Sequence, residues 1–378
     1  MRRRSGCITK NTSRENKAKG SGKMKAACTE LRVNLHGGIS KMAYRKPRVE
    51  LRSSLVHAEL ERIAENIPLL DRVELPLKLA LHRLHFLSWQ ERLLILENIH
   101  NKEDFLSLGL AEIESFLYRS IHAREPDMAR IWEQAERDAD QLGRMGARFV
   151  CVTDKEYPPL LREIHRAPFG LFVRGDSRCL GLQAVTMVGT RMPTWAGVRA
   201  AVRLAREAAE AGLCVVSGLA RGIDAAAHRG ALQSPGKATI AVLPCGLDRV
   251  YPPSNRPLAA GIIAAGGCLV TEYPPGISLD RYRFPERNRI LAGFSRLTLV
   301  IEAPEHSGAL ITAEFALTEG RDVAVAAECS GSSRNAGADA LSKEGACQVR
   351  NGAEILAIMS GSGAWNWANG RSGMIGRD

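Results

Sequence analysis

The chain has 378 residues, 45% hydrophobic and 25% charged, which is ordinary for a globular protein with room for two domains and tails. Its net charge of +11 sits at one end: residues 1–48 carry 14 Lys/Arg against Glu15 and Glu30, and the rest balance 38 Lys/Arg against 39 Asp/Glu. Any affinity of the folded body for a polyanion must therefore come from local clusters, and a total-charge argument is excluded.

Residues 1–48 are rich in Lys, Arg, Ser, Asn and Gly without a sustained period, and are expected to be a disordered basic tail. Arginines 2–4 lead into no apolar run, so a secretory signal is not expected. From 49 to 145 a small all-α domain is expected. Leu75, Leu79 and His82, then Leu93, Leu94 and Leu96, then Ile113, Phe116 and Leu117 recur near the helical period. Ser88 followed by Glu91 at the third position reads as a capping box.

Beyond this the pattern alternates. Short strands are expected at Arg148–Val152 and Gly170–Val173. Apolar strands follow at Ala184–Val188, Leu213–Val216, Thr239–Leu243, Cys268–Thr271, Leu297–Ile301 and Asp322–Ala326. Helices are expected at Trp195–Ala211, Ile223–Leu232, Pro285–Phe294 and Ala309–Glu319. Strands apolar on both faces, alternating with helices, predict an α/β fold with a mostly parallel sheet, spanning 146–358. Right-handed crossovers place the strand C-termini on one edge, where ligands bind. Residues 359–378 are Gly/Ser/Asn-rich and expected to form a flexible tail.

Nine scattered cysteines include no C-x-x-C pair, so neither a metal site nor a redox pair is expected, and a reducing, cytoplasmic setting fits best. Pro257–Thr271, a long uncharged stretch, is broken by Gly261, Gly266 and Gly267 and is too short to cross a membrane.

The unusual composition lies in the loops at the strand edge. Gly189 and Arg191 follow one strand; Arg191 offers a planar fork of donors suited to phosphate, or is simply a solvated turn residue. Ser217, Gly218, Arg221, Gly222 and Asp224 join a strand to an Ala-rich helix. Two glycines four apart let backbone amides converge on an anion, or serve only packing. Asp224 reads as a helix cap or as the residue that orients Arg221. Phe284, Arg287, Asn288 and Arg289 lie in a third segment, where arginines could hold phosphates and Phe284 could stack on a base. The Arg289 side chain could instead face the core. Ser307 and Gly308 open a further helix and could add donors, or Ser307 could merely cap it. No catalytic motif is found, and His228, four residues after Asp224, reads as structural rather than as half of a dyad.

VGTR, SGLARGIDAAAHRGAL, LPCGLDRVYPPSN, TEYPP, RFPERNRILAG, VIEAPEHSGALITAEFAL and a final EGA, in this order, resemble the DprA/Smf family. The resemblance implies an extended Rossmann-like domain after a small SAM-like helical domain. It implies a homodimer without cofactor that binds single-stranded DNA non-specifically, protects it during natural transformation and loads the RecA recombinase. It puts the phosphate pocket on Gly189, Arg191, Ser217, Gly218, Arg221, Gly222, Asp224, Phe284, Arg287 and Asn288. The chain departs from the family pattern at Glu328, where Pro-Gly is usual, and at Gly337–Ser342, where Gly-x-Asn and Leu-Ile are typical. The rival expectation is an enzyme or nucleotide sensor akin to the nucleotide phosphoribohydrolases. Their glycine run before a catalytic Glu has only Ser307–Glu314 as a counterpart, without the glycines.

Overall fold

Chain segments of four or five apolar residues, rich in Val, Ile and Leu, are buried on both faces only at the centre of a helix-covered sheet. The computed structural model describes residues 73–234 and 238–360 and has this arrangement. The expected basic tail at 1–48, the start of the helical segment and residues 361–378 lie outside the described residues.

Nine strands form one sheet in the order β1-β2-β6-β5-β4-β3-β7-β8-β9. They are β1 Ala147–Cys151, β2 Gly170–Gly175, β3 Ala184–Val188, β4 Cys214–Ser217, β5 Thr239–Val242, β6 Cys268–Thr271, β7 Leu297–Val300, β8 Asp322–Ala326 and β9 Cys347–Val349. Strands β3 to β9 pair in parallel. β2 alone runs against them, antiparallel to both β1 and β6. The expectation that every strand ends on one edge therefore fails for β2. Only the four-residue helix Pro159–Arg162 lies between β1 and β2, too little to carry the chain back for a parallel crossover. The order runs from β3 outward in both directions, so the switch point lies between β3 and β7.

Among the described residues five helices precede the sheet: α1 Leu75–His82, α2 Trp89–Leu96, α3 Lys102–Leu106, α4 Leu110–Leu117 and α5 Met128–Met145. The Ser88–Glu91 capping box forms as expected, with both reciprocal hydrogen bonds. α1 differs from its expected one-sided burial. Leu75 is exposed, while every residue from Leu77 to His82 is buried, because α1 packs on α5 and is also covered by the sheet. α5 is amphipathic, burying Met128, Trp132, Ala135, Asp138 and Leu142, and is bounded by Asp127, which accepts from Arg130 N, and by Gly146 at φ 59°. Asp138 is held bidentately by Arg83 at 2.8 and 2.9 Å.

α1 meets the sheet through an imidazole. His82 packs against Phe149, Phe169 and Phe172, and its Nε2 lies 2.8 Å from the Glu272 carbonyl oxygen. One continuous buried cluster runs from the helices into the strands. Eight further helices cover or edge the sheet: α6 Pro159–Arg162, α7 Trp195–Glu210, α8 Ile223–Ala231, α9 Arg256–Ala264, α10 Arg283–Gly293, α11 Gly308–Thr318, α12 Ala336–Lys343 and α13 Gly352–Met359. Met359, expected in the flexible tail, ends α13 and is buried. Among the described residues no helix is long and apolar enough to cross a membrane.

A second histidine, His228 on α8, is fully buried with Nδ1 2.8 Å from Thr239 Oγ1, whose hydroxyl donates to the Val215 carbonyl at 2.5 Å. The partner is a strand hydroxyl, not a loop. Burial lowers both histidines from 6.5 to about 3, so each is neutral when folded and takes up a proton near pH 6.5 once unfolded. Below that pH the unfolded chain binds more protons, and stability falls by about 1.4 kcal/mol per pH unit for each histidine. Buried Asp138 and Asp224 have raised pKa values and act in the opposite direction, so the comparison must be between variants. H82Q/H228Q is expected to lose less of its urea midpoint than the parent chain between about pH 6 and pH 5. Parallel pH profiles for the two proteins would contradict the burial of neutral imidazoles.

Candidate nucleic-acid interface

Three loops meet beyond the C-terminal ends of β3, β4 and β7, the place where an open α/β sheet leaves a crevice. Their backbones are tied at Thr190. Its N–H donates to the Glu302 carbonyl at 2.8 Å, and its carbonyl accepts from Ile223 N at 3.1 Å. Gly222, at φ 81°, makes the approach possible. A side chain there would overlap the Thr190 carbonyl and would also be strained by the backbone angle.

The loop after β4 is built over two buried groups of opposite charge, Arg287 and Asp224, which interact through space without a direct contact. Arg287, on α10, is 4% exposed and donates from Nη1 to the Val242 carbonyl at 2.7 Å. Its guanidinium fills the space where a Gly218 Cβ would stand. Asp224, 6% exposed, lies under the same loop and accepts from Ala220 N at 3.4 Å. Burial raises the Asp224 carboxyl pKa, while the Arg287 charge and the amides of Ala220 and Gly218 pull it back. Burial likewise lowers Arg287, and Asp224 is its largest counterweight. Asp224 thus neither caps α8, whose N-cap Gly222 has no side-chain bond, nor orients Arg221; it fixes the loop against Arg287.

Other expected site residues are taken up structurally. Ser217 is fully buried and donates to the Met187 carbonyl at 2.6 Å. Asn288 is buried and donates to the Gly308 carbonyl at 3.2 Å. Arg289 is buried, ion-paired with Glu272, and donates to the Arg166 carbonyl at 2.5 Å; its side chain faces away from the loops. Ser307 caps α11 by accepting from Ala309 N. Gly189 packs against Ile223.

Arg191 and Arg221 remain exposed at this edge, and among the described residues neither side chain makes a hydrogen bond or ion pair. The Arg191 guanidinium carbon lies 5.1 Å from the Phe284 ring centroid, and Tyr251 meets the same ring edge-on at 5.8 Å. Phe284 therefore already holds a cation on one face. The contact supports a role in positioning Arg191, beside the expected role in stacking.

Three contributors had no assigned role in the sequence. Glu302 is fully buried, and its Oε2 accepts from Thr194 N at 2.9 Å and Thr194 Oγ1 at 3.1 Å, which fixes the loop carrying Arg191. Asn255, also buried, donates to the Leu219 carbonyl at 2.9 Å and holds Leu219 at φ 54°, a left-handed conformation that costs a non-glycine residue about 1–2 kcal/mol. Tyr251 completes the wall against Phe284. The signal for Glu302 was a lone acidic residue ending an apolar strand, and for Asn255 a polar residue after paired prolines.

Buried and exposed arginines should behave differently when removed. R287A is expected to destabilise the fold by about 1.5–3 kcal/mol, because it removes the buried charged donor to the Val242 carbonyl and the nearby positive charge that offsets burial of Asp224. D224A should also destabilise, and R287A/D224A should cost less than the sum of the two. R191A and R221A should leave the urea midpoint unchanged. An R287A variant as stable as the parent would show that the buried pair does not support the loop.

Comparison with known proteins agrees with this architecture. The profile of the family described as DNA recombination-mediator protein A matches residues 148–360. Protein Smf of Synechocystis sp. is 48% identical over 180 residues, which cover 47% of this chain and 45% of that protein. The chain thus matches about half the length of that relative. The crystal structure of DNA processing protein A from Streptococcus pneumoniae superposes with a TM-score of 0.59 at 34% identity, covering 75% of this chain and 96% of that one. DNA processing protein A from Helicobacter pylori, studied for its single-stranded-DNA binding mode, superposes with a TM-score of 0.51 at 26% identity over 57% of this chain and 96% of that one. With the profile covering more than half of its residues, the chain belongs to the DNA recombination-mediator protein A family, the DprA/Smf proteins.

Proposed function

We propose that the chain binds single-stranded DNA without sequence preference through the edge formed by the loops after β3 and β4 and the start of α10. One observation carries the reading: two exposed arginines, Arg191 and Arg221, stand on loops held from beneath by buried Asp224, Asn255 and Glu302. Arginines held in place grip phosphates with little ordering cost, and phosphate contacts do not depend on sequence. Arg287 acts from beneath, as do Asp224, Ser217 and Asn288, while Gly189, Gly218, Gly222 and Gly308 keep the backbone close to the strand. The basic segment 1–48 adds a sequence-independent attraction.

The family's wider tasks follow as part of the same proposal: homodimerisation, protection of incoming strands during natural transformation and loading of RecA, in the cytoplasm and without catalysis. The strand-binding structure of the Helicobacter pylori relative supports the DNA part.

Fluorescence anisotropy with a labelled oligothymidylate tests the edge. A charged hydrogen bond contributes roughly 1.5–3 kcal/mol, so R191A and R221A should each weaken binding about tenfold or more in a folded protein. Unchanged affinity in both variants would remove the strand from this edge.

Phe284 gives a finer test. Because its ring supports Arg191, F284A is expected to weaken binding and also to flatten the salt dependence, which counts about 0.7 per neutralised phosphate on single strands. A weakened variant with an unaltered salt slope would instead mark Phe284 as a surface on which a base stacks.

A further inference from the structure

Two large apolar side chains stand in water beside the proposed phosphate site. Trp195 is 84% exposed and Met192 is 75% exposed. Exposed tryptophan is uncommon, and an aromatic ring left in solvent next to cations is a feature of surfaces that receive a partner. We propose that Trp195 is a base-stacking platform that continues the path of a bound single strand outward from Arg191, an inference that rests on the strand-binding reading above.

The ring is presented by rigid backbone. Trp195 is the first residue of α7, and Thr194 before it caps that helix through Gly197 N at 3.1 Å. Thr194 is in turn bound through both N–H and hydroxyl to the buried Glu302 carboxylate. On the other side, Arg334 donates from Nη1 to the Met192 carbonyl at 3.4 Å. With the backbone on both sides of it fixed, only the side-chain torsions of Trp195 remain to be ordered when a base lies on the ring.

The surroundings select the occupant. Arg191 precedes the ring in the loop, Arg199 follows one helical turn later on the same face and is exposed, and the exposed Arg334 sits against Met192. An apolar protein surface gains nothing from three guanidinium groups around its contact. A chain of phosphates carrying unpaired bases matches both the charges and the ring, since every base has a π face. Phe284 has one face covered by Arg191, so Trp195 is the open aromatic surface next to that arginine.

The test uses the full chain, with oligothymidylate and an abasic strand of equal length as probes, and with W195A, W195F, R191A and R221A compared in anisotropy titrations. W195A is expected to bind oligothymidylate roughly fivefold or more weakly, with the salt slope unchanged and the abasic strand unaffected. W195F should retain most of the parent's affinity. Oligothymidylate should quench a component of the parent's tryptophan emission that W195F lacks. If R191A weakens binding and W195A does not, the platform is wrong while the strand site stands, and the ring then faces a protein. Equal losses on both probes would also overturn the platform, since Trp195 would then only shape the loop. If the parent chain binds neither probe, or R191A and R221A both leave binding intact, the strand-binding reading itself falls and takes the platform with it.

Discussion

A guanidinium buried beneath a glycine is the constraint on which the edge of this sheet depends. Arg287 reaches the position above Val242 only because residue 218 has no side chain, where the Val242 carbonyl accepts from it and the negative charge of nearby Asp224 offsets its burial. An unpaired charge at that depth would cost several kcal/mol, as would the carboxylate without its partner. Arg287 against Gly218, Asp224 on the Ala220 amide and Asn255 on the Leu219 carbonyl together hold the loop after β4 in one conformation. That conformation sets Leu219 in a left-handed turn and brings Gly222 against Thr190.

From Thr190 the constraint passes to the other loops. Its two backbone hydrogen bonds join the segment after β3 to the start of α8 and to the end of β7, where the Glu302 side chain takes over and fixes Thr194. The result is a division of labour between residues of one kind. Arg287 and Arg289 are enclosed and make structure, whereas Arg191 and Arg221 stand on that structure in water. Fixed, solvent-facing cations at a topological switch point suit a polyanion gripped along its backbone.

The helical segment is joined to the far side of the same sheet by an equally committed set of polar groups. His82 lies among three phenylalanines and reaches the Glu272 carbonyl, and Glu272 also pairs with Arg289. Arg92 donates to the Leu81 and Leu84 carbonyls from within the core, with its guanidinium over Phe169. The residue after β6 thus links the helices to α10, the element that supplies Arg287.

Much of this was legible in the sequence. The central strands are written as apolar runs because both of their faces are covered, and the Gly- and Arg-rich loops stood out because close backbone approach and exposed charge need those residue types. The Ser88–Glu91 box was readable because it involves residues three apart. α5 carried signals of the same local kind, Asp127 and Gly146 at its ends, but its polar faces hid them among charges. The direction of β2 was not legible, since a short segment does not state which neighbour it will pair with. Nor could the sequence by itself sort its arginines. Arg287 and Arg289 sit two residues apart on one helix, and both are buried because Gly218, Asp224 and Glu272, remote in the chain, close over them. Local composition determined where strands, turns and cations would be; the fate of each cation depended on contacts across the chain, and only the tertiary structure brings those together.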